Sequence, residues 1–136
     1  MKAENNIVAQ NRVGDGESGS GIYIWGGAPR LIHTTIAQNT GGDRNGVYLR
    51  DYSGGSVPEP GHAILTNTIL VSHTTGFYIE NGNTAVLDGV LLHDNGINID
   101  GDGVVTTSHA YIGLPEFVNP DGWDYHINIT SAAINK

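Results

Sequence analysis

A short glycine-led segment recurs along this chain and constrains its fold more than any other feature. Each copy starts with glycine and then alternates apolar residues with Tyr or Asn, which is the period of a half-buried β-strand. The copies lie at residues 21–24, 46–49, 76–79 and 96–99. Without the polar inserts between them, the repeat shortens to about 20 residues, a length typical of solenoid repeats.

A second, more apolar segment lies between the glycine-led copies, at residues 35–37, 68–70 and 89–91, and a polar group follows it each time. If equivalent segments pair, like side chains form columns about 4.8 Å apart. We predict inward columns of Ile22, Val47, Phe77 and Ile97, of Ile24, Leu49, Ile79 and Ile99, and of Ile36, Ile69 and Val90. The matching outward column is Tyr23, Tyr48, Tyr78 and Asn98.

These segments predict an all-β fold, specifically a right-handed parallel β-helix (solenoid) of about four to five coils with a C-terminal cap. Twenty glycines disfavour helix, and a coil of this length has no room for a helix between its strands. We expect a single domain, 1–136, with repeat coils at 1–112 and a capping segment at 113–136. Asn39 and Asn95 are expected to tolerate left-handed backbone and to hydrogen-bond along the stack.

The chain resembles the right-handed β-helix proteins of the pectate-lyase-like superfamily, and most closely the bacterial surface proteins with β-helix repeats. The matching residues are Asn67-Thr68-Ile69, the segment 35–39, the Gly-led strands, and the C-terminal segments 115–120 and 124–127. Ala132 stands where the closing segment of such proteins usually has Pro. The resemblance implies the β-helix fold, and it leaves the function open because this fold hosts enzymes, adhesins and inert spacers.

The outward tyrosine column is the first candidate site. Aromatic rings on a flat sheet can stack on sugar rings, and neighbouring polar groups can add hydrogen bonds. We therefore predict ligand-binding residues Tyr23, Tyr48, Tyr78, Trp25 and Arg50. The alternative is a structural ladder in which stacked tyrosines stabilise adjacent strands.

Calcium is the one cofactor that the sequence suggests. Residues 98–103 match the opening of a D-x-D-x-D-G loop, whose alternating oxygens can surround a hard cation. The position of the usual bidentate Glu holds His109, which excludes an EF-hand. A looser metal site of Asn98, Asp100 and Asp102 is predicted, and a solvated acidic turn is the alternative.

Catalysis has little support in the sequence. Asp88, His93 and Asp94 are close in the chain, as are Arg50 and Asp51, but neither group forms a catalytic motif of the resembling enzymes. We predict no catalytic residues. With no cysteine, disulfides and thiolate chemistry are excluded.

Charge limits the partners. The formal net charge is −8, and the six Lys and Arg are scattered, so nucleic acid and anionic membranes are not expected partners. No apolar run is long enough to span a membrane. The start of the chain has no signal-peptide pattern, and the resemblance implies an extracellular or cell-surface location.

The first coil is already under way near Asn6, so the N-terminal edge is expected to pair with an upstream portion of a longer chain, with a second copy or with the end of a neighbour in a fibre. Among these, a homo-oligomer or filament is the expected partner. The leading functional hypothesis is a non-enzymatic module for structure, self-assembly or adhesion. The alternative is a carbohydrate-active fragment that binds or cleaves acidic polysaccharide.

Overall fold

Short β-strands make up the regular structure of the protein in a computed structural model, which describes residues 1–134. The described residues contain no α-helix, and one 3-10 helix spans Pro120–Gly122. The strands are β1 (Lys2–Glu4), β2 (Ile7–Ala9), β3 (Ile22–Trp25), β4 (Arg30–Ile32), β5 (Thr35–Ala37), β6 (Asn45–Arg50), β7 (His62–Thr66), β8 (Ile69–Val71), β9 (Thr75–Ile79), β10 (Thr84–His93), β11 (Ile97–Asp100), β12 (Val104–Ile112), β13 (Phe117–Asn119) and β14 (Asp124–Ile127).

Three sheets organise these strands. The largest follows the order β1-β4-β7-β10-β8-β5-β2, with β12 also paired to β10. A four-stranded sheet has the order β11-β9-β6-β3, and every pair in these two sheets is parallel. The third sheet is the antiparallel pair β13-β14.

The predicted right-handed parallel β-helix of four to five coils is wrong as a fold class, although the all-β composition and the parallel pairing are confirmed. Seven parallel strands form one sheet that curls into a half-barrel, and no clear solenoid results. The reason lies in β10. Its first half pairs with β7 and its second half with β8, so it joins two rows of strands into one sheet.

A fixed spacing orders the curled sheet. Each time the chain crosses this sheet, two inward positions lie five residues apart, and both are apolar except at Thr107. A residue between them that turns the corner has positive φ. The first inward positions are aligned as Ala3, Leu31, Leu65, Leu87 and Thr107, and the second as Val8, Ile36, Leu70, Leu92 and Ile112. The corner residues are Asn5, His33, Asn67, Gly89 and His109.

The predicted inward columns are partly confirmed. Ile22 lies opposite Val47, which lies opposite Phe77, but this column continues to Ile99 and not to Ile97. Ile97 lies opposite Thr75 and is half exposed on the edge strand β11. Alignment on glycine misplaced the last strand by two residues, and the aligned residue opposite Gly76 is Asn98.

The other two predicted columns need similar corrections. Ile24, Leu49 and Ile79 align as expected, without Ile99. Ile36 lies opposite Leu70 instead of Ile69. That shift of one residue changes the face of the sheet, so Ile69 points outward.

A polar ladder runs across the sheet through Asn11, Asn39, His73 and Asn95, and its two middle members, Asn39 and His73, are buried. The Oδ1 atom of Asn39 accepts from the Asn11 N–H at 3.0 Å, and the Oδ1 of Asn95 accepts from the His73 N–H at 3.2 Å. The predicted hydrogen bonding of Asn39 and Asn95 is confirmed. The left-handed residues are instead their predecessors, Gln38 and Asp94.

The C-terminal segment lies on the outer face of the sheet and not across its end, which corrects the expected cap. Tyr125 and Phe117 pack against Ala37 and Val71, on successive strands of that face. The Tyr125 hydroxyl accepts from Gln10 Nε2 at 3.0 Å and donates to Gln38 Oε1 at 2.9 Å. Positions 135 and 136 of the predicted capping segment lie outside the described residues.

Candidate functional site

The predicted tyrosine column exists as a stack of rings on the four-stranded sheet. The ring centroids of Tyr23 and Tyr48 lie 5.4 Å apart, those of Tyr48 and Tyr78 lie 5.2 Å apart, and both pairs are nearly parallel. Asp100, not the expected Asn98, lies opposite Tyr78 and ends the column. The rings of Tyr23 and Tyr78 stack on the two faces of the Tyr48 ring. These contacts stabilise the pairing of β3, β6 and β9.

Polar groups lock the middle of this column. The Tyr48 hydroxyl donates to Glu80 Oε1, and Arg50 Nε lies 3.8 Å from Glu80 Oε2. Burial, and then the hydrogen bond to Glu80, raise the pKa of Tyr48 well above its ordinary value. The Tyr23 side chain, and then the charge of Glu80, raise the pKa of Arg50. The Tyr48 hydroxyl is therefore protonated at neutral pH and lies beside the contact between Arg50 and Glu80.

Exposed aromatic surface is concentrated at the β3 end of the column. Trp25 is 52% exposed, Tyr23 43% and Tyr52 38%. The Trp25 and Tyr52 centroids lie 5.2 Å apart with the rings tilted by 56°. Tyr52 was not predicted, because it follows the strand in an insert, and only its proximity to Arg50 in sequence could have indicated it. The structure thus brings predicted residues Tyr23, Trp25 and Arg50 together with Tyr52.

The predicted calcium residues lie on β11 and the turn that follows. Asp100 and Asp102 are exposed, and Asp100 Oδ1 accepts from the Gly101 N–H at 2.8 Å, as in an ordinary tight turn. Asn98 Oδ1 accepts from Asn95 Nδ2 at 3.2 Å, so this oxygen is engaged in the ladder. Across residues 1–134, no three His, Asp or Glu side chains are grouped to hold a metal ion. A calcium site at Asn98, Asp100 and Asp102 stays a prediction.

The acidic and histidine side chains considered for catalysis lie at different corners. Asp88 accepts from Ser108 and lies 3.1 Å from His109 Nδ1, and the interaction with His109 is the main reason for the lowered pKa of Asp88. Asp94 Oδ2 accepts from the Ser72 hydroxyl at 3.2 Å. Each carboxylate has a local partner at the protein surface.

The two ends of the stacked strands form the other candidate surface. Within residues 1–134, β1, β2 and β3 each pair on one side only, and so do β11 and β12 at the opposite end. We call these the β1–β3 end and the β11–β12 end. Exposed apolar side chains lie on both: Met1, Ile7, Tyr23 and Trp25 at the first, and Ile97, Val104 and Ile112 at the second.

Comparison with protein-family profiles, curated proteins and solved structures finds no match to this chain. The resemblance to pectate-lyase-like and surface β-helix proteins therefore stays a prediction from short motifs. Among the described residues, no helix has the length and apolar character needed to cross a membrane.

The main core is accessible from the β1–β3 end. A cavity of about 250 Å³ opens there between β3 and the loop that leads to β4, with Ile22, Ile24 and Leu31 on its wall. Ala3, Val8 and Ile22 are only partly buried although they pack against the main core. At the β11–β12 end, Ile99 and Val105 are in the same situation. The same hydrophobic core is therefore partly exposed at both ends.

Proposed function

We propose that this protein is a non-enzymatic module that self-associates through its open β1–β3 end. The observation that carries the proposal is the coincidence, at one end, of three one-sided parallel strands and the partly buried core residues Ala3, Val8 and Ile22. Unpaired strand edges are templates for pairing with another chain. Partly buried apolar side chains add a gain from removal of surface from water, about 25 cal/mol for each Å² buried.

The charges near this end favour pairing over protection. Natural edge strands are protected by short length, by charged side chains, especially Lys, by inward-pointing charges, by prolines or by bulges. Here the inward positions of β1 and β2 are the apolar Ala3 and Val8. The charged side chains of β1, Lys2 and Glu4, neutralise each other through a contact of 2.7 Å. An extracellular or cell-surface location stays a prediction for this module.

Sedimentation velocity across a concentration series tests the proposal. We expect the sedimentation coefficient of the wild-type chain to rise with concentration. The variant Val8→Lys places a charge at the inward edge position and should remain monomeric. Val57→Lys is the matched control, because Val57 is 73% exposed in the loop between β6 and β7 and belongs to none of the edge strands; it should associate like the wild type. A wild-type monomer at all concentrations would exclude self-association as the function.

Binding of polysaccharide is the second candidate, and the exposed group Trp25, Tyr52 and Tyr23 beside Arg50 favours it. Flat rings next to an ionic group are the elements with which proteins hold acidic sugars. Affinity electrophoresis in gels containing polygalacturonate should show retardation of the wild-type chain. Trp25→Ala should abolish the retardation, whereas Trp123→Ala, a change at a ring that is 63% exposed, should preserve it. Equal mobility of all three proteins with and without polygalacturonate would exclude this candidate.

A further inference from the structure

We infer that the partner of the β1–β3 end is the β11–β12 end of another copy, so that the chain assembles head to tail in one direction. This inference rests on the proposed self-association and names the surface that accepts it. Its basis is the register of the strands, which continues without change from one end of the molecule to the other.

Strand direction is the first argument. Every pair in the two large sheets is parallel, so the free edges at both ends run in the same sense. When a second copy is translated along the stacking direction, its β12 edge meets β1 and β2, and its β11 edge meets β3. The new pairs are then parallel like those inside the molecule. Two β1–β3 ends facing each other could not continue this pattern, because one of them would be reversed.

Spacing is the second argument. Ala3 and Val8 lie five residues apart on the first pass, with Asn5 at positive φ between them. Thr107 and Ile112 lie five residues apart on the last pass, with His109 at positive φ between them. Strands and corner therefore match across the contact, since both ends belong to the same aligned columns.

The side chains at the contact are the third argument. The Val8 column ends at Ile112, which is 79% exposed, and the Ile22 column ends at Ile99. Head-to-tail stacking would place Ile112 of one copy against Val8 of the next, and Ile99 against Ile22. Each contact pairs apolar with apolar and closes a core that is open at both ends.

The C-terminal segment leaves this contact accessible. It turns away from Ile112 and packs on the outer face, where Tyr125 reaches Gln10 and Gln38. A heterologous contact joins two different surfaces, so each added copy still has one free end to which another copy can bind. If rotation does not close a ring, the product is an open chain of copies.

Two end-blocked variants test this arrangement by mixing. The first carries Ala3→Lys and Val8→Lys, and the second carries Thr107→Lys and Ile112→Lys. Each variant keeps one intact end, so neither should associate alone, and an equimolar mixture should form a 1:1 dimer that grows no further. Far-UV circular dichroism and thermal melting check that both are folded. If the double substitutions prevent folding, the single changes Ile7→Lys and Ile112→Lys, at exposed positions, replace them.

The outcomes separate the inference from the function on which it rests. Association of the second variant alone would show that two β1–β3 ends pair, which would overturn the head-to-tail arrangement and leave self-association intact. Association of the first variant alone would likewise overturn it, in favour of pairing between two β11–β12 ends. A monomeric wild-type chain would instead overturn self-association itself.

Cysteine cross-linking gives an independent measurement of the register, because the chain has no native cysteine. The aligned columns place Glu4 opposite Ser108 of the next copy. Adjacent strands bring such residues within the Cα separation that a disulfide requires, about 4.4–6.8 Å. Glu4→Cys mixed with Ser108→Cys should cross-link under mild oxidation, whereas Glu4→Cys mixed with Val57→Cys should not. Equal cross-linking in both mixtures would overturn the proposed register.

Discussion

The Nε2 atom of His73 lies 3.2 Å from the Nδ2 atom of Asn39, inside a ladder whose other members are asparagines. Asn39 also donates its backbone N–H to Nε2 at 3.4 Å, so the proton of the neutral ring lies on Nδ1. Nδ1 is buried and has no hydrogen-bond partner among the described residues. His73 thus occupies a position where the ladder otherwise has asparagine, and of its two ring nitrogens only Nε2 has a hydrogen-bond partner among the described residues.

The stability of the protein should therefore fall in mild acid. Burial lowers the pKa of His73 from its ordinary value of 6.5 to about 4. Between these two values the unfolded chain binds a proton that the folded chain does not, so the free energy of unfolding decreases as pH falls from 6.5 to about 4. The loss is about 3 kcal/mol at most. Urea unfolding at pH 7, 5.5 and 4.5 measures it, and equal midpoints at the three pH values would contradict the prediction.

Replacement of the histidine by asparagine should remove much of this pH dependence. The Nδ2 of Asn39 donates to Val8 O and that of Asn95 to Leu70 O, and the equivalent acceptor for position 73 is Ile36 O. His73→Asn can make that hydrogen bond, which contributes about 1 kcal/mol. We expect a higher melting temperature at pH 5 than for wild type. His62→Asn, a change at an exposed histidine of β7, is the control and should leave the pH dependence in place.

Glycine at the head of the recurrent strands is required by close backbone contact. A Cβ on Gly21 would lie 2.4 Å from Gly46 O, and one on Gly46 would lie 2.8 Å from Gly76 O. Gly21→Ala should therefore destabilise the fold by about 1–3 kcal/mol through overpacking. Gly55→Ala serves as control, because its nearest contact would be an ordinary 3.6 Å. Chemical denaturation compares the two, and equal stability of both variants would refute this explanation.

The C-terminal segment should depend on the Tyr125 hydroxyl, which joins Gln10 to Gln38. Tyr125→Phe keeps the ring packing on Phe117 and removes two hydrogen bonds, at an expected cost of about 1 kcal/mol. Hydrogen exchange should become faster in β13 and β14 while β6 and β9 stay protected. Tyr52→Phe, at an exposed ring, should change neither. Unchanged protection in β14 of Tyr125→Phe would show that packing alone holds the segment.

The local features of the fold were predictable from the sequence, but the joining of the strands into one curled sheet was not. Alternation of Ile22, Tyr23 and Ile24 predicts both the strand and the tyrosine stack, because a period of two fixes the faces. The misplacement of Ile97 arose from alignment on glycine, because Asn98 and not Gly96 lies opposite Gly76. The union of β7 and β8 through β10 depends on tertiary contacts that no local pattern in residues 84–93 reveals.

Some residues of the candidate sites were likewise predictable from the sequence, and others were not. Tyr23 and Trp25 lie on β3, and Arg50 lies opposite Trp25 on β6, so these three residues were predictable together. Tyr52 approaches Trp25 only because of the path of an insert. The outer-face packing of Tyr125 has a signal that the sequence analysis did not use. The strands of that flank, such as Ile69-Leu70-Val71, are apolar at every position, which indicates burial on both faces.

The contact between Gln10 and Tyr125 joins residues 115 positions apart. During synthesis it cannot form until Tyr125 has left the ribosome, and until then Ala9, Ala37 and Val71 remain uncovered. Contacts of such long sequence separation are slow to form because the intervening loop must first be ordered. Docking of the last strands is therefore expected to be the final kinetic phase of folding, and a chain interrupted before Tyr125 would expose an apolar sheet face to other nascent chains.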